Sequence, residues 1–512
     1  MELQTTRTVI TSAEPLGTTV QEQGIELDYV LPDYFPDVFT LLKCFVSPTI
    51  TSQSVSGDRL SYELRADIRI LYCTEQSHVL QCVTQTLHFS RTAELPAGES
   101  ITAELSPTLD YVNCRVVSRR RLDLRGAVTI RIRSTALRRQ EVLSDITGKG
   151  IQLRRQPVQF PTQNLRAERS ILLSEELELG SAKPPMLHIV RCDARAVEQT
   201  QRFVSGKLMV QGSLQVQLLY ACEKDGDGSL EPLSFRLPYS QLVDLEGAGE
   251  QDLCNTETAV LSCDIKPVSD ASGEVHALRC DAELHVTCTA LRIGSDSLVT
   301  DAFSTEHPSE AVRVSIPLSG VPVPVSETLT VNAKLPCTDT ELDCVYDAWC
   351  EVRTLSTEQQ DGTVLVSGML ACLCLVREST GLPRLLEKEE PFEYSFTPES
   401  LGENDTLRLR ASAANTAYTL SSAAEVTLRC ELSLEGHLTH TTTVEALTDL
   451  VLEEEETLPR RYALKLYYGS TGEAVWDIAR RSHTSVEAIM AENDLTDETL
   501  PRSGMLLIPI VG

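Results

Sequence analysis

Aromatic residues are scarce in this chain, at 5% of 512 residues, and only two of them are tryptophan. Positive charge is scarce too: 45 Lys and Arg stand against 74 Asp and Glu, a net charge of −29. That balance excludes general affinity for nucleic acid or for an anionic membrane surface. No long apolar run is present. The most apolar uncharged stretch, Val314 to Ser326, is broken by Pro317, Pro322 and Pro324, which argues against a membrane helix. Met1 to Ile10 is polar and threonine-rich, with no secretory pattern, so a soluble chain made in the cytoplasm is expected. Also missing are a phosphate-cradling Gly-x-x-x-x-Gly-Lys-Ser/Thr loop, a Gly-x-Ser-x-Gly elbow and a His-Glu-x-x-His motif. The expectation is a protein with no catalytic residues, no metal and no cofactor.

Cysteine, by contrast, is plentiful. None of the sixteen forms a Cys-x-x-Cys pair, and most fall at apolar positions of alternating segments. Buried thiols packing as small hydrophobes are the expected state in a reducing compartment, with late oxidative cross-linking as the alternative. Asp225-Gly-Asp227-Gly228 lacks the remaining ligands of a calcium loop and reads as a hairpin turn. His437 and His440 lie three apart on an expected strand, face opposite sides and read as surface residues.

The body of the chain repeats. Leu64, Ala66, Ile68 and Ile70 alternate with polar residues up to Tyr72, and the pattern returns up to Tyr220 and Val376, at offsets of 148 and 156. A second pattern centred on Arg125, Arg279 and Arg429 returns at offsets of 154 and 150. Three homologous modules explain both anchors. Period-2 alternation with turn signals between the runs implies antiparallel, sandwich-like β modules. The expected modules span 1–150, 165–305 and 320–450, with linkers near Gly148–Glu168 and Glu306–Glu327 and an acidic tether at Glu453–Pro459. A helix is expected near Pro36–Cys44, where Val38, Leu41 and Leu42 share a helical face. Arg115 to Arg155 is locally basic, twelve Lys or Arg against three acids, and Arg125, Arg131 and Arg133 would project from one strand face. A solvated face is one reading and a docking patch for an acidic protein surface the other; without interleaved aromatics a nucleic-acid face is disfavoured.

The C-terminal segment, 462–512, has a different grammar. Leu464, Leu466 and Tyr468 alternate as a half-buried strand, and Val475, Ile478 and Ala479 give one apolar helix face with Glu473 in its first turn. A second helix is expected from Thr484, with Thr484-x-x-Glu487 as a capping box and Asn493 as its left-handed end. Met505–Ile510 closes a strand-helix-helix-strand unit of α+β type. With Gly472-Glu473, Trp476-Asp477-Ile478-Ala479, Asn493-Asp494-Leu495 and Leu507-Ile508-Pro509, this unit resembles a LysM module. The resemblance implies a ligand groove at Gly472, Glu473 and Ala474, with Asn493, Asp494, Leu495 and Thr496 opposite; Trp476 is weighed between core and contact.

Upstream, Leu31-Pro-Asp-Tyr-Phe-Pro-Asp-Val38 and the strands after it resemble the SPOCS (DUF3794) domain. SPOCS modules ahead of a LysM module are similar to the organisation of clostridial spore-coat morphogenetic proteins. What this resemblance implies is a non-enzymatic adaptor in the mother-cell cytoplasm, at the forespore surface. Its LysM module would bind the coat-basement morphogenetic ATPase, and its β modules would recruit or stabilise other coat proteins. The alternative is a peptidoglycan- or GlcNAc-glycan-binding protein of the cell wall or spore cortex.

Overall fold

The computed structural model describes all residues except 1–2, 76–78, 181–182, 205, 225–226, 270–274, 399–400, 403–404, 454–462 and 510–512. It is mainly β, with two short helices. The first unit runs β1 (Gln4–Val30), β2 (Thr40–Ser56), β3 (Arg59–Cys73), β4 (Leu80–Glu94), β5 (Thr102–Ser118) and β6 (Arg121–Thr147). The second repeats this order as β7 (Ile151–Glu178), β8 (Met186–Val204), β9 (Lys207–Lys224), β10 (Asp227–Val243), β11 (Leu253–Ser269) and β12 (Val275–Ser304). The third is β13 (Ser309–Pro336), β14 (Leu342–Gln360), β15 (Thr363–Glu378), β16 (Pro383–Phe396), β17 (Thr406–Ser422) and β18 (Glu425–Leu452).

Each unit packs two three-stranded antiparallel sheets face to face. One is a meander, β2-β3-β4 in the first unit; in the other, the long β6 lies between β1 and β5. The alternating segments read from the sequence are the six central strands of these sheets, each carrying one apolar face inward. In the first unit Leu60, Leu64, Ile68, Ile70 and Tyr72 of β3 meet Leu122, Leu124, Val128, Ile130 and Ile132 of β6. The hairpin expected around Asp225 joins β9 to β10, with its two turn residues outside the described set.

The units are not beads on a string. Leu71, Leu219 and Leu375, one from each central meander strand, meet in a second core shared by all three units, together with Val190 and Trp349. At the far ends of the long strands Leu143 and Ile146, Val299 and Ala302, and Leu447 and Leu450 form a third, with matching positions from each unit. Nearby, Ile10, Val158 and Ile316 join Val142, Leu298 and Ala446. The three units are therefore arranged around a pseudo-threefold axis. Each long strand pair has a bulge just before its end, where Ser144, Thr300 and Thr448 hydrogen-bond back to the partner strand at 3.2–3.3 Å. The next residue is an aspartate in every unit, Asp145, Asp301 and Asp449, and each accepts from the following N–H at 2.9 Å. Asp145 pairs with Arg155 of the second unit and Asp301 with Arg313 of the third, so ion pairs step round the axis.

Two expectations fail here. Gly148–Glu168 and Glu306–Glu327 are not linkers: apart from short connections they belong to β7 and β13. Their prolines are accommodated because both are edge strands, where a missing N–H costs no ladder bond. Nor is Pro36–Cys44 helical. Pro36 to Phe39 is irregular and β2 begins at Thr40, with a bulge at Leu42 that sends Leu41 into the unit core and Leu42 to the shared axis. The bulge shifts the face parity by one residue and imitates helical spacing.

The β10–β11 connection is held by Asp252, whose side chain is 1% exposed. It accepts from Arg292 at 2.7 and 2.9 Å and from the Gly249 N–H at 2.9 Å. The Arg292 hydrogen bonds hold its carboxyl below the usual range, against the opposing effect of burial. A depressed pKa contributes stability above the unfolded value, near 4, that is lost as pH falls through the folded one. In Arg292→Met the carboxylate is buried without its partner, so burial disfavours its charged form. The variant should lose about 3 kcal/mol at pH 7, and denaturant melts should show that deficit shrinking at pH 3.

Candidate functional site

The terminal unit comprises β19 (Leu464–Gly469), α1 (Val475–Ser482), α2 (Val486–Glu492) and β20 (Gly504–Pro509), with β19 antiparallel to β20. Val475, Ile478 and Ala479 pack with Ile489, Leu500, Leu506 and Ile508, all buried. Glu473 precedes α1 instead of lying in its first turn, where Asp477 sits. Its carboxylate accepts from the Tyr467 hydroxyl at 2.7 Å, from the Ser470 N–H at 3.1 Å and from Arg481. Those bonds, the tyrosine's foremost, hold it below the usual glutamate range. Gly472, at φ +81°, takes the left-handed turn before it.

The cap of α2 is one residue later than expected. Ser485 is the N-cap, accepting from the Ala488 N–H at 3.1 Å, whereas Thr484 is fully buried and donates to the Pro509 carbonyl. The left-handed residue is Asp494 and not Asn493. Asn493 instead ties α2 to β20: its amide donates to the carbonyls of Ile489 and Leu507 and accepts from the Leu507 N–H, at 2.7–2.8 Å.

Of the groove residues inferred from the sequence, Gly472 to Ala474 are bonded to Thr499 and Leu500, just beyond Asp494–Thr496. Gly472 N–H donates to Leu500 O, Leu500 N–H to Glu473 O, and Ala474 bridges Thr499. Leu495 packs against the unit's core and Thr496 is exposed. Trp476 faces the other way. It is 5% exposed and lies edge-on to Phe303 of β12, ring centroids 5.0 Å apart. Its indole N–H donates to Asp301 at 2.8 Å, and Arg480 donates to the same oxygen at 3.0 Å. Gln152 of β7 accepts from the Val486 N–H at 3.4 Å. His483, at the end of α1, bonds the Ser304 backbone, and burial pushes its pKa down.

The terminal unit thus rests on the tip of the second unit. Asp301 has counterparts in Asp145 and Asp449, but the position of Phe303 is Thr147 in the first unit and Val451 in the third. Among the three tips, the aromatic needed to stack on Trp476 occurs at one. The tether expected at Glu453–Pro459 lies, beyond Glu453, outside the described residues.

A second surface went unread in the sequence. The inner side of the β19–β20 ribbon is Tyr467, Leu506 and Ile508, so Leu464, Leu466 and Tyr468 point outward at 45%, 63% and 71% exposure, beside Met505 at 68%. The strand is half-buried as expected, but Tyr467 is on its inner face and these residues form an apolar strip on the outer one. Arg125, Arg131 and Arg133 lie exposed on one face of β6. Arg125 is 3.9 Å from Asp123, and among the described residues Arg131 and Arg133 have no ion pair; most other basic residues of that segment are paired. His440 is exposed and meets Asp405, and His437 is partly buried.

Residues 185–268 match the family described as SipL, SPOCS domain. The match spans the second unit's meander, β8 to β10, and almost all of β11. It supports a SipL-like relationship for this part of the chain. No curated protein and no solved structure matches the chain.

Proposed function

We propose that the chain is a non-enzymatic adaptor in spore-coat assembly, working in the mother-cell cytoplasm at the forespore surface. The observation that carries this reading is the SipL, SPOCS match within a body that repeats the same six-strand order three times. By that repetition the first and third units are SPOCS modules as well. The terminal unit, LysM-like in its strand-helix-helix-strand order, is the arm that binds the coat-basement morphogenetic ATPase. The outward strip of Leu464, Leu466, Tyr468 and Met505 supports a protein partner, since apolar residues grouped on a small surface mark contact sites. The exposed Arg125, Arg131 and Arg133 offer an acidic coat protein a docking face on the first unit.

The test uses the purified full chain with the purified ATPase, beside sedimentation with cell-wall sacculi. The chain should bind the ATPase and stay in solution with sacculi, and Leu466→Glu with Tyr468→Glu should weaken binding at least tenfold without changing the melting temperature. Sedimentation with sacculi and no ATPase binding would replace this reading with the glycan-binding one.

A further inference from the structure

All sixteen cysteines are free thiols, and among the described strand pairings a single register pair sets cysteine opposite cysteine. That pair is Cys350 of β14 and Cys372 of β15, with sulfurs 3.8 Å apart. Both side chains point into the core of the third unit, at 7% and 1% exposure. The threefold repeat supplies a comparison. The corresponding register pairs are Val46 with Ile68 in the first unit and Ala194 with Val216 in the second. Aliphatic side chains therefore suffice to fill this place, yet in the third unit both members are thiols. Directly opposed residues of an antiparallel pair have Cα atoms about 4.5–5.5 Å apart, inside the range of about 4.4–6.8 Å that a disulfide spans. The sulfurs have to close from 3.8 Å to about 2 Å, which side-chain rotation on a common sheet face can supply. Among the described residues no group of three or more metal-ligating side chains is placed to hold an ion, so the pair points to sulfur–sulfur chemistry.

We propose that Cys350 and Cys372 are a disulfide site, closed in the folded chain with hydrogen peroxide as the oxidant. A small oxidant is needed because both sulfurs are buried. β14 is an edge strand, and its ladder with β15 is interrupted between Val352 and Thr354, two residues from Cys350. This strand pair therefore opens locally more readily than the uninterrupted β15–β16 ladder. The Cys350 sulfur, the more accessible of the two, attacks one peroxide oxygen. The O–O bond breaks, Cys350 becomes a sulfenic acid, and its thiol proton leaves with the other oxygen as water. The Cys372 sulfur then displaces the hydroxyl, which takes the second thiol proton and leaves as water. Two S–H bonds and one O–O bond break and one S–S bond forms; the two thiols give up two electrons and the peroxide is reduced to two waters. The link lies beside Trp349 and Leu373, the next pair in register, which face the core shared by the three units. It closes a loop of about 20 residues and staples the strands that carry that pair.

The test treats the full chain with dilute hydrogen peroxide, quenches it, denatures it in an alkylating agent and maps disulfide peptides by mass. The expected link is Cys350–Cys372 within one chain, with a melting temperature raised by several degrees. Once formed it should resist dithiothreitol while the protein is folded and be reduced promptly in denaturant, because the closed sheet shields it. Cys350→Ala and Cys372→Val introduce the residues that the second unit carries at these places. Both variants should fold and melt near the reduced parent, and both should lose the link and the rise in melting temperature. Recovery of Cys350 and Cys372 as thiols, while partly exposed thiols such as Cys114 have reacted, would overturn the proposal. So would a link from either one to Cys430, the other thiol of the Cys350 and Cys372 core, or a rise in melting temperature that persists in both variants.

Discussion

Replacing Asp301 by alanine should release the terminal unit from the tip of β12. Asp301 accepts from Trp476, Arg480 and Arg313 at once, and its side chain is 13% exposed, so one substitution removes two bonds to the terminal unit and one to the third unit. Removing the carboxylate takes the partner from Arg313, leaves Arg480 with Asp477 alone and strips the buried indole N–H of its acceptor, at a cost of about 2 kcal/mol. With only Trp349 and Trp476 in the chain, a Trp349→Phe background gives a single reporter. In that background Asp301→Ala should shift the emission of Trp476 to the red, and amide exchange over 475–482 should quicken. Phe303→Ala should do the same, since it removes the ring against which the indole packs. Unchanged emission and exchange in both variants would mean that the tip does not hold the unit.

The second large effect concerns the shared core at the ends of the long strands. Leu447 is fully buried between Leu143, Val299 and their neighbours from the other units. Leu447→Asp would put an unpaired carboxylate there, which should cost about 4 kcal/mol or more. Val451→Asp, four residues on and 49% exposed, should change stability by less than about 0.5 kcal/mol. Calorimetry should show the first variant unfolding in separated steps, because the three inner sandwich cores remain intact while their junction is lost. A single unaltered transition in Leu447→Asp would contradict the pseudo-threefold packing.

The fold was legible where one face of a strand is wet and the other dry. The alternation around Ile68, Leu218 and Leu370 marked central strands because each has one face on its unit's own core. The junction of the units was legible only as a departure from that alternation. Leu218-Leu-Tyr-Ala-Cys222 and Leu370-Ala-Cys-Leu-Cys-Leu-Val376 are continuous apolar runs, which a strand buried on both faces requires. The expected linkers at 148–168 and 306–327 are edge strands, which accept Pro157 and Pro317 where a central strand would not. In the terminal unit the helix faces were readable from spacing, but the sheet face was not. Leu464, Leu466 and Tyr468 are as apolar as a buried face, and only the helices packing on Tyr467 reveal which side is inside. The role of Trp476 depended on Phe303 and Asp301, far upstream, and no local pattern announces such a contact.

The binding assay with the purified ATPase tests the functional account most directly, because it places the full chain between the two partners that divide the readings. The account predicts saturable binding to the ATPase, lost with the Leu466→Glu and Tyr468→Glu pair, and no sedimentation with sacculi. Binding that survives those substitutions would move the partner surface off the terminal ribbon, and sedimentation with sacculi without ATPase binding would contradict the adaptor role.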